Sequence, residues 1–115
     1  MNRISHFLHA QTQYNLHSPF VYRLYTEVLF SRARGRGRSA EDVRWRLEHY
    51  YRSSFAGNCL DTSDGRFLLV DRPHRQEAEW ATIVADEAWQ VTIDLYHCGL
   101  AIASPRLSKQ HFLLR

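Results

Sequence analysis

Apolar and polar positions alternate most regularly in Gln90–Ala103, QVTIDLYHCGLAIA. Val91, Ile93 and Leu95 alternate with Thr92, Asp94 and Tyr96, the period of two expected of a strand with unlike faces. Leu100–Ala103 is apolar throughout, as in a strand buried on both sides. A tight reversal at Tyr96–Gly99 would join the two as an antiparallel hairpin. Arg66–Asp71, RFLLVD, predicts a further strand with Phe67–Val70 wholly apolar, and His111–Leu114 a short last one. Ser104-Pro105 and the polar Arg106–Gln110 separate that last strand from the hairpin.

Elsewhere the period is helical. Asn2–Gln13 reads as a short helix capped by Asn2, with Ile4, Phe7, Leu8 and Gln11 near one face. Ser18-Pro19 is a helix start: serine caps, and proline takes the first helical position, where a missing N–H costs nothing. Phe20, Val21, Leu24, Tyr25, Val28 and Leu29 continue it as a broad apolar stripe to about Phe30. Ser39 opens the next helix, with Glu41 and Asp42 in a first turn that favours acids. Val43, Leu47, Tyr50 and Tyr51 form its apolar side, Trp45 lies on the flank, and the helix ends near Ser53-Ser54. Phe55–Gly65, FAGNCLDTSDG, reads as a turn-rich loop ending in Asp64-Gly65. Arg75–Glu87 is a further helix, with Trp80, Ile83 and Val84 inward and Trp89 just beyond its end. The predicted order is three helices, a strand, a helix and three strands.

A chain of 115 residues with 44% hydrophobic and 23% charged residues forms one domain with a core of its own. Its parts are the N-terminal helices 1–30, an Arg/Gly linker 31–39, and a helix with a small α/β unit over 40–115. The net charge of +3 rests on arginine, since Lys109 is the only lysine. No apolar run approaches a membrane span, and Cys59 and Cys98 are the only cysteines. Two free thiols, buried or half-buried, in a cytoplasmic protein are therefore expected.

The linker Ser31–Ser39, SRARGRGRS, is a candidate phosphate-binding arm through Arg32, Arg34, Arg36 and Arg38. It lacks the interleaved aromatics of a single-strand binding surface. His6 and His9, at i and i+3, have no third ligand at helical spacing and read as solvated or core-edge residues. Asp71 ends an apolar strand and His74 follows three residues later. Together they are the candidate general base and orienting partner, or two metal ligands. Asp94 reads as a cross-sheet partner for an arginine. His97-Cys98 has no third member that would make it a nucleophile.

LHSPFVYRLYTEVL (Leu16–Leu29) resembles the N-terminal helical segment, HSPFV and an aromatic-rich helix, of a group of bacterial class I S-adenosylmethionine-dependent methyltransferases. Phe67–Arg115 resembles the end of the same proteins: a strand ending in acid, a helix with Glu-Ala-x-Trp, a VTIDLYxxGL hairpin and a KxHFxLR terminus. The resemblance implies a truncated Rossmann-like methyltransferase fold: N-terminal helices on a small mixed sheet with an antiparallel C-terminal hairpin. It places Asp71 and His74 near the substrate side of the family's pocket.

The family's cofactor site needs a Gly-rich turn after an apolar strand. None of Gly35, Gly37, Gly57, Gly65 and Gly99 stands in that context. The central part of the family's sheet has no counterpart, since only about a dozen loop-like residues precede Phe67. The expectation is therefore a methyltransferase-like protein without catalysis or cofactor, acting through self-association or another protein chain. An active enzyme that holds S-adenosylmethionine in an atypical or intersubunit site is a second reading. A small basic nucleic-acid-binding module is a third.

Overall fold

The computed structural model describes residues 18–31, 35–36 and 39–114. The predicted helix Asn2–Gln13, with His6 and His9, lies outside them. The described chain is mixed α/β, with three helices and a five-stranded mixed sheet.

Helix α1, Pro19–Leu24, begins as the sequence dictates. Ser18 Oγ accepts from the Val21 amide at 3.3 Å, and proline stands in the first turn. Tyr25–Leu29 widens into a π-helical turn, and β1 (Phe30–Ser31) follows. β1 pairs with β2 (Gly35–Arg36) in a two-stranded ribbon, so part of the expected linker is hydrogen-bonded backbone.

Helix α2, Ala40–Tyr51, is capped by Ser39, whose Oγ accepts from the Asp42 amide at 3.1 Å. It ends where Arg52 turns left-handed, two residues short of Ser54. Arg46, beside the buried Val43 and Leu47, is only 6% exposed. Its guanidinium donates to the carbonyls of Val28 (3.4 Å) and Leu29 (3.2 Å) and pairs with Asp42. The last π-helical carbonyls, which lack helical partners of their own, are thus capped from a neighbouring helix.

The sheet contains one strand more than the pattern predicts. β3, Cys59–Thr62, forms a hairpin with β4, Gly65–Asp71, across the turn Ser63-Asp64. The predicted loop Phe55–Gly65 is therefore half strand. β3 hides because Leu60 is its only large apolar residue. Helix α3, Glu77–Ala85, follows a 3₁₀ turn at Pro73–Arg75, so it starts later than predicted. β5 (Val91–Asp94), β6 (Cys98–Ala103) and β7 (Gln110–Leu113) complete the order β3-β4-β6-β5-β7.

β6 is antiparallel to both β4 and β5, so those two run parallel to each other. β7 pairs parallel to β5 on its far side. The predicted C-terminal hairpin is β5–β6, reversed by Leu95–His97.

The pleat sends alternate residues to two faces. Phe67, Leu69, Leu100, Ile102, Val91, Ile93 and Phe112 form the core with Val21, Leu24, Val28, Leu29, Val43 and Leu47 of the N-terminal helices. The opposite face carries Gly99, Ala101, Thr92 and Asp94, with Trp80 of α3 seated against Gly99. Both faces of β5 are buried, not one as its alternation predicts. The reason is α3, which covers the polar side.

Gly99 is not the turn glycine either. Tyr96 takes the left-handed conformation in the reversal (φ 73°), held by Asp94 Oδ1 accepting from its amide at 2.7 Å.

Candidate functional site

The parallel strands β4, β5 and β7 end at the same edge of the sheet, where Asp71, Asp94 and Leu113 stand. In open α/β sheets ligands bind in the crevice outside the carboxyl ends of parallel strands. Two depressions open at this edge, one on each face.

On the face shared with α2, a cleft of about 490 Å³ is lined by Asp71, Arg72, His97, Asn58, Arg44 and the start of α2. Its cations are engaged. Arg72 bonds Asp71 at 3.1 Å. Arg44 donates to Gly57 O (3.0 Å) and Asn58 Oδ1 (3.3 Å), with its guanidinium over the Phe55 ring.

On the other face, a groove of about 520 Å³ separates α3 from the sheet. Trp80, Val84 and Ala81 line it from the helix, Tyr96 and His74 from one end, and Asp94, His111 and Leu113 from the strands. Thr92 Oγ1 and His111 Nδ1 are 2.7 Å apart, which fixes the imidazole beside the indole of Trp80. Desolvation pushes the His111 imidazole below its ordinary value, against the pull of the Asp94 carboxylate.

The two predicted catalytic residues are divided between these depressions. Asp71 lies in the first, exposed, with its carbonyl accepting from Gln76 Nε2 at 2.6 Å. His74 lies in the second. Its Nδ1 bonds the Tyr96 carbonyl at 2.8 Å and its ring stacks on that tyrosine at 4.1 Å. Each residue is thus anchored to a different neighbour. Asp94, expected to pair with an arginine across the sheet, caps the reversal through Oδ1.

Cys59 is half-buried and Cys98 buried, neither in a disulfide. Burial, with Asp71 and Asp94 nearby, pushes the Cys98 thiol far above its ordinary range, so it is a poor nucleophile. Among the described residues, no group of three His, Cys, Asp or Glu is placed to hold a metal ion. No helix among them is long and apolar enough to cross a membrane. Arg32, Arg34 and Arg38 lie outside the described residues, and Arg36 is placed by its backbone in β2.

The sequence pattern does not reveal the groove. Its wall is Trp80, seated on Gly99, residues whose types point to a core position and a turn. Comparison with known proteins yields no matching family model, no matching curated protein and no matching solved structure.

Proposed function

We propose that the chain is a methyltransferase-like protein without catalytic activity that works by association with another protein chain, first of all a second copy of itself. The Rossmann-like part of this reading is supported by β4 and β5, parallel strands joined through α3, the βαβ element of such sheets.

The loss of catalysis rests on one observation. The turns leaving β4 and β5 at the ligand-binding edge are Arg72-Pro73-His74 and Leu95-Tyr96-His97, with no glycine in either. The described glycines near the sheet are used for other contacts. Gly65 (φ 136°) lies where a Cβ would collide with the Ala103 carbonyl oxygen, and Gly99 seats Trp80. A backbone that must approach a nucleotide closely needs glycine at that turn. Association is supported by β3 and β7, which have no strand on their outer sides among the described residues.

The test is calorimetric titration with S-adenosylmethionine and S-adenosylhomocysteine, paired with light scattering. No saturable heat and a mass above the monomer are expected. Binding tighter than about 100 μM, roughly 5.5 kcal/mol, would overturn the non-catalytic reading in favour of an active enzyme. A strict monomer at high concentration would overturn association.

A further inference from the structure

We infer that a second copy of this chain joins at β7, by antiparallel pairing of β7 with itself about a two-fold axis at Phe112. This rests on the self-association proposed above and selects one of the two open edges. The selection comes from the backbone. The Gln110 amide donates to the Gln90 carbonyl at 2.8 Å, and the Leu114 amide to the Asp94 carbonyl at 3.0 Å. These bonds turn residues 110, 112 and 114 toward β5, so the amides and carbonyls of His111 and Leu113 point out of the sheet. No strand lies on that side among the described residues.

The β3 edge is different. Its outward residues are Cys59 and Asp61, since the Asn58 carbonyl on the inward side accepts from the Leu69 amide at 2.8 Å. Cys59 exchanges backbone bonds with Ala56 (3.1 and 2.8 Å), and the Asp61 carbonyl accepts from Ser53 Oγ at 3.4 Å. Charge separates the two edges as well. β3 carries Asp61, paired with Arg66. Gln110–Leu113 has no lysine, arginine, acid or proline of the kind that blunts an edge.

The same groups fix the register. A two-fold operation on one strand edge produces an antiparallel ladder. In the register that uses every outward group of β7, His111 of one copy and Leu113 of the other exchange both backbone bonds. Phe112 then meets Phe112 at the axis as the closer, non-hydrogen-bonded pair. The pleat keeps α3 of both copies on one face of the joined sheet. The apolar grooves lined by Trp80, Ala81, Val84 and Leu113 thus lie side by side across the axis. Leu113, half-buried in the single chain, gains the imidazole of the second copy as cover.

The test uses the whole chain. In a mixture of isotope-labelled and unlabelled copies, an Hα–Hα NOE between Phe112 residues is expected. Slow exchange of the His111 and Leu113 amides should accompany it and be lost on dilution. Leu113→Pro removes an outward amide, spares the ladder to β5, and should weaken the dimer roughly thirtyfold or more by sedimentation. Asp61→Pro makes the same change on β3 and should leave the dimer unaltered. A dimer that persists in a folded Leu113→Pro protein, or that is lost with Asp61→Pro alone, would overturn pairing at β7 and leave self-association standing. If Leu113→Pro does not fold, a wild-type dimer without the Phe112 NOE overturns the pairing equally. A wild-type monomer at high concentration overturns both.

Discussion

The indole of Trp80 rests on Gly99 so closely that a Cβ on residue 99 would lie 2.8 Å from two of its ring carbons. The glycine is inside β6, at a backbone angle any residue accepts, so the demand is for space alone. Gly99→Ala must push Trp80, itself 8% exposed, away from the sheet. The expected cost is about 1–3 kcal/mol, as for other overpacked cores. Urea unfolding measures it, and a smaller side chain at Trp80 should return part of the loss in a double-mutant cycle.

Arg46 joins two helices by hydrogen bonds rather than by apolar contact. Arg46→Met keeps the length of the side chain but leaves the Val28 and Leu29 carbonyls without this donor and Asp42 without this ion pair. A loss of about 2–3 kcal/mol is expected, in the range for stranding buried polar groups. Arg46→Lys should recover only part of it, because an ammonium cannot span both carbonyls and the carboxylate as a planar fork does. Thermal denaturation of the two variants checks the order.

Alkali should unfold this protein early. The Tyr51 hydroxyl donates to Asp64 Oδ2 at 2.7 Å, and burial with this bond raises its pKa far above the ordinary 10.0. Burial likewise raises Cys98 above 9.0. Both hold protons in the folded chain that the unfolded chain releases. Their contribution is complete below those ordinary values and falls as the pH rises past them. Urea midpoints from about pH 8 to pH 10.5 should drop, and Tyr51→Phe with Cys98→Ala should flatten the drop.

Acid acts on the other face. His111 has its pKa lowered by desolvation and by Lys109, with Asp94 and Thr92 opposing. Below its ordinary 6.5 the unfolded chain takes up the proton first, so stability falls as the pH falls through and below that value. His111→Gln should make the urea midpoint less sensitive to pH between about 7.5 and 5.5. An unchanged slope would show that other groups carry the acid response.

Elements with a strong period or a cap were legible in the chain. Ser18-Pro19 and Ser39 mark helix starts because their chemistry is local, and both serines accept the amides expected of them. Phe67–Val70 and Val91–Leu95 mark strands because the core needs their side chains. β3 was not legible: a strand with one large apolar residue, paired on one side only, carries almost no pattern. Thr92 and Asp94 look solvent-facing by type, yet α3 covers them, and pattern alone does not say which helix returns over which face. The candidate pair Asp71 and His74 was drawn from sequence proximity. The pleat and the turn after β4 then assign the two residues to opposite sides of the sheet. Arg46 was invisible for a different reason: its partners are backbone carbonyls, which leave no trace in the order of side chains.

The insertion of β6 between β4 and β5 has a consequence for how the molecule is made. As the chain leaves the ribosome, β4 and β5 emerge before the strand that must separate them. Until Cys98–Ala103 has been synthesised, β4 has a strand partner only in β3, and β5 has none, among the described residues. The nascent protein therefore passes through a stage with open apolar strand edges, the condition under which newborn chains join one another. Closure of the sheet waits on the six residues of β6, the strand that both β4 and β5 need.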